Sequence, residues 1–138
     1  MYTSPAPQPA RGAVTVPMLL QMKRNGERIA TLTAYDASFA RAMDHAGIDA
    51  VLVGDSLGMV IKGGANTVSV GIDDMVYHSR CVAQGLQSAL LIADMPFQSY
   101  ATPERALDTA SALLSEGMAS MVKLEGGGCV LAASSFLS

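Results

Sequence analysis

Three apolar runs in this sequence each close on an acid: Ala50-Val51-Leu52-Val53-Gly54 leads to Asp55, Ala89-Leu90-Leu91-Ile92-Ala93 to Asp94, and Ser120-Met121-Val122-Lys123-Leu124 to Glu125. Such runs read as buried parallel strands. If they are sequential neighbours, roughly 4.8 Å apart, the three acids project from one rim of the sheet. Carboxylates that close repel unless a positive charge lies between them. A hard divalent cation suits an all-oxygen set, and Mg²⁺ takes one or two carboxylates while water and substrate fill the remaining positions. The C-terminal rim is also where parallel α/β folds carry their sites. Asp55, Asp94 and Glu125 are therefore the candidate metal ligands. Lys123 stands two residues before Glu125 and shares its side of a strand. A buried ammonium needs a partner, so Lys123 neutralises an acid or holds a substrate carboxylate. Ser56, beside Asp55, offers a hydroxyl to the same ligand.

Read singly, Asp55 and Asp94 are as readily helix caps as ligands. It is the trio together with Lys123 that points to chemistry. Asp36 precedes a well-patterned helix at once and reads as its cap. His45 and His78 fall within helices without ligand spacing and read as surface or packed residues. The methionines fall mostly on apolar faces and read as core. Cys81 reads as a small helix residue, and with Cys129 far away and no CxxC spacing neither a disulfide framework nor a zinc site is expected. The Gly63-Gly64 pair fits no phosphate-loop spacing.

The elements that must hold these residues follow in order. Val16 to Arg24 reads as a short helix with Pro17 in its first turn and cations at its end. Arg28 to Ala34 is strand one. Asp36 caps a helix over 37–46, with Phe39 and Met43 on one face and Gly47 as its stop. After the Ala50 strand comes a loop from Val60 to Gly71, glycine-rich in its middle and suited to covering a site. A helix over 72–84 sets Ile72, Met75, Val76 and Val82 together. Strand three runs to Asp94. Thr102-Pro103-Glu104 then opens a helix carrying Ala106, Leu107, Ala110, Leu113 and Leu114, ending at Gly117, and strand four runs to Glu125. Short connections between alternating strands and helices make a parallel sheet with helices outside. Periodicity does not choose between a doubly wound sheet and part of a (βα)8 barrel.

Half of the 138 residues are hydrophobic and 15% are charged, which excludes a disordered polypeptide. A net charge of −3 without a basic cluster argues against nucleic-acid or anionic-membrane partners. No apolar run approaches the roughly 18 residues that cross a bilayer. A cytoplasmic protein is expected. Residues 1–13 are proline-rich and read as a disordered leader, 14–127 as the folded domain, and 128–138 as an atypical uncharged tail, expected to be a truncation or frameshift product.

Thr33-Ala34-Tyr35-Asp36, Val53-Gly54-Asp55-Ser56-Leu57-Gly58-Met59, Ala93-Asp94-Met95-Pro96-Phe97, Tyr100-Ala101-Thr102-Pro103-Glu104 and Met121-Val122-Lys123-Leu124-Glu125-Gly126-Gly127 stand in order along the chain. On these motifs, from about Val16 to Gly127, the sequence resembles the ketopantoate hydroxymethyltransferase family. The resemblance implies the N-terminal half of a (βα)8 TIM barrel, an N-terminal helix followed by four parallel strands alternating with three helices. It implies a cytoplasmic homo-oligomer, often a decamer, of pantothenate and coenzyme A biosynthesis. It also implies Mg²⁺ at Asp55, Asp94 and Glu125, with Asp55, Ser56, Asp94 and Lys123 holding the 2-oxo acid. The implied reaction transfers a hydroxymethyl group from 5,10-methylenetetrahydrofolate to 3-methyl-2-oxobutanoate, giving 2-dehydropantoate. The family's proton-abstracting glutamate belongs to its second half, and no acid follows Glu125 here. Two alternatives remain at this point: a related Mg²⁺-dependent lyase or mutase barrel acting on phosphoenolpyruvate-like acids, and an inactive fragment or subunit-mixing module.

Overall fold

The computed structural model describes residues 11–128 and 131–137. The leader's residues 1–10, together with Cys129, Val130 and Ser138, lie outside them. Four parallel strands, β1 (Thr31–Thr33), β2 (Ala50–Val53), β3 (Leu90–Asp94) and β4 (Met121–Lys123), lie in sequence order in one sheet. Ala50 pairs with Thr31 on one side and Leu90 on the other, and Asp94 pairs with Lys123. Sequential order with helical crossovers is the arrangement that short βα connections permit.

Four of the helices start where a side chain accepts from an N–H group at the first turn. In α1 (Val16–Asn25) the Thr15 hydroxyl accepts from the Met18 N–H, Pro17 occupies the first turn, and Gly26, at φ 70°, closes the end. The Asp36 carboxylate accepts from the Ser38 and Phe39 N–H groups and opens α2 (Ala37–His45). Asp74 reaches back to the Gly71 N–H at 3.0 Å at the start of α4 (Ile72–Ala83). The Thr102 hydroxyl caps α5 (Pro103–Ser115) through the Arg105 N–H. Against the sequence expectation, a short helix α3 (Leu57–Val60) begins directly behind Asp55 and Ser56. Within the tail, read on sequence as atypical, α6 (Leu131–Leu137) packs on α5 and buries Ala133.

Val51, Val53, Leu91 and Ala93 point to the helix side of the sheet and join Met75, Val82, Ala106, Ala110 and Leu113 in one core. On the opposite side Ala50 and Leu90 are covered by Val14 and Leu19. Two apolar faces differ from expectation. Phe39 is 65% exposed while Met43 packs on the core, and Leu107 and Leu114 face outward from α5. The reason for α2 is its close approach to the end of α4. Ala40 is fully buried there, and a Cβ on Gly85 would lie 2.8 Å from that of Ala40 and collide with the Ala37 carbonyl. Residues this near leave no room for a large side chain.

The connection before β3 is held by Asp44 of α2, whose carboxylate accepts from the N–H groups of Gln87, Ser88 and Ala89. Arg11, assigned on sequence to the leader, pairs with Asp49 and donates to the Gly47 carbonyl, and the Val14 N–H donates to Ser88. Asp49 also accepts from the Ala30 N–H at 2.8 Å, which fixes the entry of β1 against that of β2. Among the described residues no helix is long and apolar enough to cross a membrane.

Candidate active-site rim

The register of β2, β3 and β4 brings their C-terminal ends to one rim, where Asp55, Asp94 and Glu125 line a cavity of about 210 Å³ with Thr67, Met95, Phe97 and Tyr100. Asp94 is the last residue of β3 and only 7% exposed. The Lys123 ammonium stands 2.5 Å from its Oδ1 as an ion pair, and that oxygen has no hydrogen-bond partner among the described residues. Lys123 pairs in addition with the Glu125 carboxylate. Glu125 does not end β4 as expected. It lies in the loop two residues beyond, and its side chain is 74% exposed. The Asp55 carboxylate, half-buried, has no hydrogen bond or ion pair among the described residues.

Neither Asp55 nor Asp94 is a cap. The residue before α3 is Ser56, which makes no side-chain capping bond, and α5 is capped by Thr102. Gly54 explains how Asp94 fits the rim. A Cβ there would stand 3.2 Å from Asp94 Oδ2 and 2.9 Å from Ser56 Oγ, so the missing side chain leaves the space that both polar groups occupy.

Ser56 is held from behind. Its Oγ lies 2.7 Å from the Tyr35 hydroxyl, and the Tyr35 carbonyl meets Nδ1 of His78 at 2.8 Å. The Tyr35 and His78 rings meet edge to face, as do those of Tyr77 and His78. Of the two readings the sequence left, surface or packed, His78 takes the packed one, and it braces the aromatic ring that orients Ser56. The loop over residues 61–71 brings Thr67 to the cavity wall and is held by local bonds. The Gly64 N–H donates to the Gly58 carbonyl, Asn66 accepts from the Val68 N–H, and Val70 is buried.

The electrostatics match the geometry. Burial pushes the Asp94 carboxyl above its ordinary value; Lys123 opposes this, while Glu125 and Asp55 add to it. Burial lowers the Lys123 ammonium, but Asp94 and Glu125 more than reverse that and hold it above its usual value. The same lysine holds Glu125 below its own. Burial raises Tyr100, and the carboxylates of Glu125, Asp55 and Asp94 raise it further. This phenol therefore stays protonated at the cavity wall. A carboxylate that is buried and surrounded by others is a site where an added cation lowers the free energy.

All five sequence candidates, Asp55, Ser56, Asp94, Lys123 and Glu125, gather at this rim, but not as a finished cage. Among the described residues no three Asp, Glu, His or Cys side chains stand close enough to hold a metal together. Lys123 separates two of the acids instead. The donor set nevertheless fits a hard cation: oxygen ligands only, with the buried Asp94 Oδ1 met by the Lys123 ion pair and by no hydrogen bond. Sequence reasoning missed Tyr35, Thr67, Phe97, Tyr100 and His78 as neighbours of the site. Tyr35 carried a usable signal, since it follows strand one directly at the same rim.

A parallel sheet of βα units with polar chemistry on its C-terminal rim is the build of the (βα)8-barrel enzymes, and solved structures show this fold. Oxaloacetate acetylhydrolase in complex with the product oxalate superposes with a TM-score of 0.61 at 20% identity, over 81% of this chain and 39% of that one. 2,3-Dimethylmalate lyase, a PEP mutase/isocitrate lyase superfamily member, does so with 0.61 at 21%, over 82% and 40%. The family model for ketopantoate hydroxymethyltransferase matches residues 13–137, and the chain belongs to that family of enzymes. The match runs through the tail. The 3-methyl-2-oxobutanoate hydroxymethyltransferase of Nitrosococcus oceani is 58% identical over 84% of this chain and 44% of its own length. That of Xylella fastidiosa is 56% identical over 89% and 45%. The chain thus spans less than half the length of these relatives.

Proposed function

We propose that this chain supplies the cation and oxo-acid half-site of a 3-methyl-2-oxobutanoate hydroxymethyltransferase. The observation that carries the reading is the meeting of Asp94, Lys123, Glu125, Asp55 and Ser56 at one rim in a chain of this family. Asp55, Asp94 and Glu125 would hold Mg²⁺, which supplies Lewis-acid polarisation of the 2-oxo group and so acidifies C3. Lys123 and Ser56 orient the substrate carboxylate and 2-oxo oxygen, with Asp55 and Asp94 alongside. Tyr35 fixes the direction of the Ser56 hydroxyl. Tyr100, kept protonated, can donate to an anionic ligand in the same cavity. The net change removes a proton from C3, joins that carbon to the methylene of 5,10-methylenetetrahydrofolate, and adds water to give 2-dehydropantoate and tetrahydrofolate. None of residues 126–138 is acidic, so the proton acceptor is not assigned to them. A cytoplasmic homo-oligomer suits this role, and exposed Phe39, Val60 and Ile61 offer apolar surface for assembly.

Calorimetric titration of 3-methyl-2-oxobutanoate into the chain tests the reading. Binding is expected with Mg²⁺ present and lost with a chelator, and Asp94→Asn weakens it at least about tenfold, since even residues outside the ligand shell of a metal site cost that much. Binding that ignores both the chelator and Asp94→Asn overturns it.

A further inference from the structure

We propose that Lys123 occupies the cation's place while the site is empty, and that its displacement couples cation binding to oxo-acid binding. The inference rests on the reading of the rim as a cation and oxo-acid site and deepens it. The Lys123 ammonium contacts two of the three carboxylates assigned to the cation, one buried on β3 and one exposed beyond β4. It is itself about one-third exposed and sits on a flexible stem, so it can leave. One positive charge cannot stay between Asp94 and Glu125 once a divalent cation takes them. The freed ammonium, its two carboxylates now neutralised by the cation, becomes a ready partner for an anionic group entering the cavity.

Without the lysine the two acids would be left bare, one of them buried at large cost. With it the rim is neutralised and folded before any ligand arrives. The arrangement also sets an order. An oxo acid arriving first finds Lys123 engaged and two carboxylates unneutralised, whereas one arriving after the cation finds a free ammonium. Each ligand must therefore raise the affinity for the other by the same factor.

The test follows free Mn²⁺ by electron paramagnetic resonance with the chain, Lys123→Met and Lys123→Arg. Lys123→Met is expected to bind Mn²⁺ more tightly than the unaltered chain, by roughly fivefold or more, at the lower end of typical coupling factors. Lys123→Arg, which keeps the positive charge, should show no gain. 3-Methyl-2-oxobutanoate should tighten Mn²⁺ binding by a larger factor in the unaltered chain than in Lys123→Met, which keeps only the coupling made through the cation itself. A second measurement needs no variant: the rate at which acetic anhydride modifies Lys123, read by mass spectrometry, should rise when Mn²⁺ saturates the site. Equal or weaker Mn²⁺ binding by Lys123→Met, or an acetylation rate that Mn²⁺ leaves unchanged or lowers, overturns the proposal alone. Mn²⁺ binding by neither the chain nor Lys123→Met overturns the cation reading as well.

Discussion

Gly54 and Tyr35 carry the site at the scale of single residues. Gly54 leaves the space in which Asp94 Oδ2 and Ser56 Oγ lie, and Tyr35 fixes Ser56 across 2.7 Å. Tyr35→Phe removes one hydrogen bond and little volume. It is expected to weaken oxo-acid binding by roughly two- to tenfold, the worth of a typical hydrogen bond, with little change in Mn²⁺ binding. Calorimetry with each ligand checks the split, and an equal loss for both ligands counts against it. The placement of the acids at one rim was legible in the sequence because each closes an apolar run, and that of Lys123 because it stands two residues before Glu125. His78 was not, because its link to Ser56 runs from α4 through Tyr35 and has no spacing in the chain, whereas Tyr35 was legible only as a residue just beyond β1 at the same rim. Nor does the run that ends at Glu125 reveal that β4 stops at Lys123.

Element boundaries were legible wherever a cap announced them. Asp36, Thr102 with Pro103, and Gly26 stand where the helices begin or end. What the periodicity misplaced is the contact between α2 and the end of α4, where small residues do the packing and Phe39 is left outside. Gly85→Ala forces a methyl against the Ala37 carbonyl and is expected to destabilise by about 1–3 kcal/mol. Urea unfolding checks it, and an unchanged midpoint contradicts the packing. Asp44→Ala strips three N–H groups before β3 of their acceptor and should cost a similar roughly 1–3 kcal/mol. Asp44 has no sequence signal because its partners lie more than forty positions away.

Over the whole molecule, the start of the described chain is tied to the sheet through Arg11 and Asp49. Burial raises the Asp49 carboxyl, but the Arg11 hydrogen bond, the Ala30 N–H and the Arg11 charge outweigh it and hold the group below its ordinary value. A carboxyl depressed on folding adds stability above its unfolded value, near about 3.9, and loses it as pH falls through the folded value. Arg11→Ala is therefore expected to lower stability at neutral pH, by roughly 0.5 kcal/mol because the arginine is exposed. That difference should shrink toward zero in acid below the folded value. Urea unfolding of both proteins across pH follows the gap, and a gap that widens in acid contradicts the pairing. The parallel order of the sheet was legible from its short connections, whereas the choice between a doubly wound sheet and a barrel needed the family motifs.

The most direct measurement of the central claim is an anomalous diffraction map of crystals soaked in Mn²⁺ with 3-methyl-2-oxobutanoate. One strong peak is expected within roughly 2.0–2.3 Å of carboxylate oxygens of Asp55 and Asp94, with Glu125 close by and Lys123 turned toward the oxo acid's carboxylate. A peak held by other residues, or Lys123 still clamped between Asp94 and Glu125 beside an occupied oxo-acid site, would contradict it.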